Sequence, residues 1–139
     1  MSWLLDTCVI CEPVQKSPSS RVLAWLDGQP EESLHLSVLT LGEIRKGAAR
    51  LPAGPKRKRL EHWLEHVLAE RFSGRILSID VEAADLWGRM QAQAEKHGHP
   101  LPTLDSLLAA TALAHGLILV TRNSRDFAET GAELHNPWE

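Results

Sequence analysis

Short apolar segments alternate with segments of helical period along the whole chain, and no hairpin turn joins any two of the strand-like pieces. Trp3-Leu4-Leu5 comes first, then Leu34-His35-Leu36-Ser37, then Ile76-Leu77 within Arg75 to Ser78, then Leu117 to Val120. Glu133-Leu134-His135 has the pattern of a last, short edge strand. Strands linked by crossovers instead of hairpins run parallel, and the helices of the crossovers cover the sheet. The most apolar segments show no alternation, as expected of strands covered on both faces. The pattern predicts a three-layer α/β domain around a mainly parallel sheet of four or five strands.

The helices are marked by their boundaries. Ser19 or Ser20 can cap a short helix over Arg21–Asp27, which Gly28 stops. Val38–Arg50 places Leu41, Ile44, Ala48 and Leu51 at helical spacing, and Leu51 to Pro55 breaks it. A helix from Lys56 to Phe72 carries the stripe Leu60, Trp63, Leu64, Val67 and Leu68, and Gly74 ends it. Val81–Lys96 is a long helix with Leu86, Trp87 and Met90. Thr103 is read as the cap of Leu104–His115, which Gly116 closes. Pro13 to Ser20 reads as a turn-rich connection.

At 139 residues the chain fits one domain, residues 1–139, and 43% hydrophobic residues suffice for an ordinary core. No apolar run approaches a membrane span, and the start lacks a basic n-region, so a cytoplasmic protein is expected. The net charge of −3 excludes a generic basic nucleic-acid binder. Any contact with nucleic acid must be local, and a site built from acids would itself lower the charge.

Four acids fall where chemistry collects in such folds. Asp6 follows the first strand, and Asp126 lies in the loop after the apolar Leu117–Val120 strand. Asp105 opens a helix, and Glu43 lies near the start of the helix after the second strand. In open parallel sheets, sites form outside the carboxyl ends of the strands, and all four positions can share that edge. Carboxylates are the ligands of hard divalent cations, which activate water and offset developing charge. Each acid alone also has a local reading: Asp105 serving its helix N-terminus, Asp126 a loop cap, Glu43 a solvated helix residue.

Four stretches resemble the motifs of one family. Leu4-Leu5-Asp6-Thr7-Cys8-Val9 looks like the opening of a PIN domain, and Leu36-Ser37-Val38-Leu39-Thr40-Leu41-Gly42-Glu43-Ile44 resembles its second acidic motif. Pro102-Thr103-Leu104-Asp105-Ser106-Leu107-Leu108-Ala109-Ala110 resembles the third, and Leu119-Val120-Thr121-Arg122-Asn123-Ser124-Arg125-Asp126-Phe127 the fourth. They arrive in order and span nearly the whole chain, and they are most similar to VapC-type toxins of toxin–antitoxin pairs. The resemblance implies a Mg²⁺- or Mn²⁺-dependent endoribonuclease. It carries metal ligation onto Asp6, Glu43, Asp105 and Asp126, and supporting roles onto Thr7, Thr121 and Asn123. It also implies a homodimer and a small antitoxin partner that covers the site. Position 8 departs from the family, where Asn is common and this chain has Cys8.

Arg122 and Arg125 flank the fourth acid and are candidates for RNA contact, with Arg45, Lys46 and Arg50 on the same approach. Lys56-Arg57-Lys58-Arg59 opens a helix where positive charge opposes the helix dipole, which fits either phosphate binding or a solvated face. Cys8 and Cys11 form a C-x-x-C pair, but their intervening residues are apolar and the next helix is expected to start later, against redox catalysis. His62-Trp63-Leu64-Glu65-His66 matches an H-x-x-E-H zinc motif, yet its polar residues are expected on the solvent face without a third ligand. His97-Gly98-His99 reads as a solvated turn. Five Trp and no Tyr suggest that some indoles line a surface groove.

Two other classes compete. A phosphate-signalling receiver domain needs adjacent acids after the first strand, and Asp6-Thr7-Cys8 offers one; a D-x-D phosphatase fails at Cys8 likewise. A catalytically silent PIN-fold binding module is opposed by the presence of all four acids. Clustered carboxylates also repel one another without a cation, so Asp6→Asn is expected to leave the metal-free fold at least as stable.

Overall fold

The computed structural model describes residues 1–139. Five strands, β1 (Trp3–Leu5), β2 (Leu34–Ser37), β3 (Ile76–Leu77), β4 (Ile118–Val120) and β5 (Leu134–His135), form one sheet in the order β3-β2-β1-β4-β5. Every pairing is parallel, as the missing hairpin signals predicted. Eight helices flank it: α1 (Thr7–Cys11), α2 (Ser20–Asp27), α3 (Val38–Arg50), α4 (Pro55–His62), α5 (Ala69–Arg71), α6 (Val81–Lys96), α7 (Thr103–His115) and α8 (Ser124–Phe127). A π-helical segment, Trp63–Leu68, joins α4 to α5.

The unalternated strands divide between two cores. Trp3 and Leu5 join Val9, Val22, Ile44, Leu64, Leu68 and Phe72 on one face, while Leu4 joins Leu108, Ala109, Ala112 and Phe127 on the other. Likewise Val120 belongs to the first core and Leu119 to the second. Both faces of β1 and β4 are dry, so apolar side chains are needed at consecutive positions. Leu4 is fully buried, and Leu4→Ala would cost about 2–5 kcal/mol.

Several boundaries differ from the sequence reading, each for a local reason. A helix begins at Thr7, directly after β1, with Asp6 as its N-cap; five residues are too few to display a period. The stripe expected from Lys56 to Phe72 loses Val67, which is 45% exposed. The wider π turn rotates it outward while Leu64 and Leu68 stay in the core. Thr103 is the first residue of α7 and makes no capping bond; Pro102 occupies the cap position. The Ser106 hydroxyl folds back to donate to the carbonyls of Pro102 and Thr103. Asp126 lies on the one-turn helix α8, not in a loop. No helix is long and apolar enough to cross a membrane.

Topology places the four acids. Asp6 directly follows β1 and Thr121 directly follows β4. Helix α3 leaves the carboxyl end of β2, carrying Glu43 in its second turn. Because α7 feeds β4 through Gly116, its N-terminus, with Asp105, returns to the same edge of the sheet. The chain steps from β1 to β2 on one side and pairs with β4 on the other, so this edge is the switch point where parallel sheets open a crevice.

Candidate active site

Asp6 anchors the crevice. Its backbone N–H donates to the Val120 carbonyl at 2.9 Å, holding it against the end of β4. Its Oδ1 accepts from the Thr7 N–H at 2.8 Å, and its Oδ2 accepts from the Thr121 hydroxyl at 2.8 Å. The Cys8 thiol donates to the same Oδ2 over 3.7 Å. The carboxylate is thus buried, oriented by three donors, and joined across the switch point to a residue 115 positions away.

Thr7 performs the matching task for Glu43. Its Oγ1 donates to Glu43 Oε1 at 2.8 Å and lies 3.3 Å from the hydroxyl of Thr40, which is fully buried in α3. Glu43 is itself exposed, so Thr7 ties an otherwise free carboxylate to the segment that carries Asp6. Thr121 accepts from the Asn123 N–H at 3.0 Å while donating to Asp6, and Asn123 O accepts from the Asp126 N–H at 3.0 Å. One run of bonds therefore leads from Asp6 through Thr121 and Asn123 to Asp126.

Asp105 shows that the acids share one field. Its carboxyl is pushed above the ordinary carboxylate range, first by burial and then by the negative charges of Asp6, Asp126 and Glu43. As the side chains stand, no three acidic, histidine or cysteine groups close around one point. The donor set still fits a hard divalent cation: it is all oxygen, and its repulsion on Asp105 is what a cation would relieve. The hydrogen bonds of Asp6 argue against the gain in stability expected for Asp6→Asn. Asp6 is the most hydrogen-bonded of the four, and an amide in its place would turn a donor toward Thr121 or Thr7. Asp105, with no hydrogen bond supporting its charge, is where removing a charge relieves repulsion.

Cys8 lies in the first turn of α1, contrary to the sequence reading, and Cys11 is its last residue, yet neither is activated. Burial first, and then the charge of Asp6, pushes Cys8 up to about 11, against hydrogen bonds from the Arg122 backbone and Thr121 that lower it. Cys11 is pushed to about 11 by burial, then by Cys8, Glu43 and Asp6. Burial, with the neighbouring negative charges behind it, outweighs the helix start at Cys8, and both remain protonated thiols.

The basic candidates separate. Arg45 is held by Glu65 at 2.7 Å and Glu61 at 3.4 Å, clamping α3 to the π segment and to α4, while Lys46 is exposed. Arg122, Asn123, Ser124, Arg125 and Asp126 line one small cleft with Glu139. The guanidinium of Arg122 lies over the Trp138 ring at 5.1 Å. Sequence reasoning missed this tail. Asn136 donates to the Arg122 carbonyl and the Ser124 hydroxyl, both at 3.4 Å, and accepts from the Trp138 N–H at 2.9 Å. No local pattern marks these residues, because their partners are more than ten positions away. Of the other indoles, Trp3 and Trp25 pack edge to face, and Trp87 donates to Ser106. His62, Glu65 and His66 are exposed, as expected, and Glu65 is committed to Arg45.

Comparison with known proteins agrees with this architecture. The model of the PIN domain matches residues 3–133. The chain is 39% identical over 136 residues to the VapC ribonuclease Y4jK of Sinorhizobium fredii, covering 98% of this chain and 97% of that protein. It is 38% identical over 135 residues to toxin FitB of Neisseria gonorrhoeae, covering 97% of each. The crystal structure of FitAcB from Neisseria gonorrhoeae superimposes with a TM-score of 0.92 at 38% identity, covering 99% of both chains.

Proposed function

Because the chain belongs to the PIN-domain family, we propose that it is a divalent-metal-dependent endoribonuclease acting as the toxin of a toxin–antitoxin pair. The observation that supports this reading is that Asp105 is raised by burial and then by the charges of Asp6, Asp126 and Glu43, three acids carried on separate segments. The printed descriptions of the similar proteins, a ribonuclease and a toxin, support it.

In this reading Asp6, Glu43, Asp105 and Asp126 hold Mg²⁺ or Mn²⁺. A cation held there would lower the pKa of a bound water and offset charge on the scissile phosphate. Thr121 and the Thr7 N–H fix both oxygens of Asp6, so the carboxylate needs no reorganisation. The Thr7 hydroxyl restrains Glu43, and the Thr121–Asn123 connection sets the turn that presents Asp126. Arg122 and Arg125 bring positive charge to the phosphates of a strand that four carboxylates would otherwise repel. A homodimer and an antitoxin that covers the crevice complete the proposal, with the cytoplasm as its setting.

Purified protein should cut single-stranded RNA with Mg²⁺ or Mn²⁺ and stop in EDTA, and Asp105→Asn should lose most activity while keeping its fold. Undiminished cutting by that variant, or in EDTA, overturns the mechanism. Expression alone should slow growth, and co-expression with a cognate antitoxin, sought as a small gene next to its own, should restore it.

A further inference from the structure

One hollow beside the acids is unlike the rest of the surface. It has a volume of about 730 Å³, within the range of small-ligand sites. Cys8, Cys11, Arg122, Trp138, Lys16 and Lys56 are among the residues that line its wall. It begins at the candidate site, since Cys8 touches Asp6 and Arg122 directly follows Thr121.

Charge in this hollow is not spent on the protein. Lys16, Lys56 and Arg122 enter no ion pair, as is also true of Lys46, Arg50 and Arg125, whereas Arg45, Arg57, Arg71, Arg75 and Arg89 pair with acids. Glu12 also lines the hollow, but its Oε1 accepts from the Ser19 N–H at 3.2 Å. Lys56 sits in the first turn of α4, after Pro55 and without a side-chain cap, where the helix dipole disfavours a cation. In a chain of net charge −3, three unpaired cations around one cavity suit an anionic ligand.

The wall suits a base. The Arg122 guanidinium lies over the Trp138 ring at 5.1 Å, and the tail that carries the indole is tied by Asn136 to the loop bearing Arg122. Indole and guanidinium planes both stack on unpaired bases. A platform for a base, amines for phosphate, and the acids next door occur together nowhere else on the molecule.

We propose that this hollow binds one unstacked nucleotide of single-stranded RNA next to the scissile phosphate, its base against Arg122 and Trp138 and its phosphate at Lys56 and Lys16. The inference rests on the nuclease reading and adds a subsite to it. Duplex RNA, whose bases are stacked, would not enter.

The test compares wild type with Trp138→Leu, Trp138→Phe and Lys56→Gln. It uses cleavage of a single-stranded oligonucleotide with Mg²⁺ and fluorescence anisotropy of the labelled oligonucleotide in EDTA. Trp138→Leu should raise KM and Kd on the order of tenfold, more than it lowers kcat, and Trp138→Phe should recover most of the loss. Lys56→Gln should weaken binding and reduce the slope of log Kd against log salt by about 0.7, one phosphate contact on a single strand. Lys56 is exposed, so this arm stands even if Trp138→Leu folds poorly. Wild-type KM, Kd and salt slope in Lys56→Gln and Trp138→Phe, together with a Trp138→Leu that is folded and unaffected, overturn the subsite and leave the nuclease reading intact. Variants that keep wild-type RNA parameters but escape inhibition by a cognate antitoxin assign the hollow to protein and also overturn it. A wild type that neither binds nor cuts RNA removes both readings together.

Discussion

Thr121→Val isolates the bond that closes the switch point. The Thr121 side chain is fully buried, donates to Asp6 Oδ2 at 2.8 Å and accepts from the Asn123 N–H at 3.0 Å. Valine keeps the shape and removes both interactions. Losing a hydrogen bond to a buried carboxylate costs about 1.5–3 kcal/mol. The orphaned Asn123 N–H adds about 1 kcal/mol, at the low end because Asn123 is exposed and water reaches it. The added methyl returns less than about 1 kcal/mol. The net loss is about 2–4 kcal/mol, which at roughly 3 °C per kcal/mol for a chain of this length lowers Tm by about 6–12 °C. Urea melts should show a lower midpoint at unchanged slope. Thr121→Ser keeps the hydroxyl and should cost only about 1 kcal/mol. Activity of Thr121→Val should fall about 10–100-fold, because Asp6 loses a partner that orients it. A Thr121→Val protein within about 0.5 kcal/mol of wild type, or no worse than Thr121→Ser, refutes the argument that this hydroxyl holds the two strand ends together.

Other outcomes follow from the same geometry. Asp105→Asn should stabilise the metal-free protein and shrink the Mg²⁺-induced rise in Tm, whereas Asp6→Asn should destabilise it by breaking supported bonds; melts in EDTA and in Mg²⁺ decide, and the reverse order refutes the assignment. At about 100 times its dissociation constant, Mg²⁺ should stabilise wild type by about 2.7 kcal/mol. Because the folded pKa of Asp105 is raised, its contribution is fully present below its unfolded value near 3.8 and is lost as pH climbs through the folded value. Wild type in EDTA should therefore lose stability relative to Asp105→Asn as pH rises from 4 to 7. Cys8 and Cys11, pushed from 9.0 to about 11, should react with a thiol reagent at pH 8 about two orders of magnitude more slowly than in urea-unfolded protein. Gly116 closes α7 at φ 65° with open space around it, so Gly116→Ala should cost about 1 kcal/mol through backbone strain alone, read from urea melts.

What the chain alone determined is local. Crossovers without hairpins fixed a parallel sheet, and unalternated apolar strands at Trp3–Leu5 and Leu117–Val120 required cover on both faces. The acids were legible because four short stretches around Asp6, Glu43, Asp105 and Asp126 each resemble a family motif in the right order. Folding decided what depends on distance. The strand order β3-β2-β1-β4-β5 is set by which edges pair, and no periodicity encodes that. Leu4 and Leu5 belong to opposite cores only once β1 lies between β2 and β4. Helix α1 was too short to show a period, and the π segment shifted Val67 off a stripe that a regular helix would keep. The roles of Thr7 and Thr121 became specific bonds because tertiary structure carried their partners 36 and 115 positions to meet them. The tail residues Asn136 and Trp138 had no signal of their own, since what they do depends on a loop brought beside them by the β4–β5 pairing. Period, capping and motif are properties of neighbours in the chain; a shared electrostatic field and a cavity wall are properties of neighbours in space.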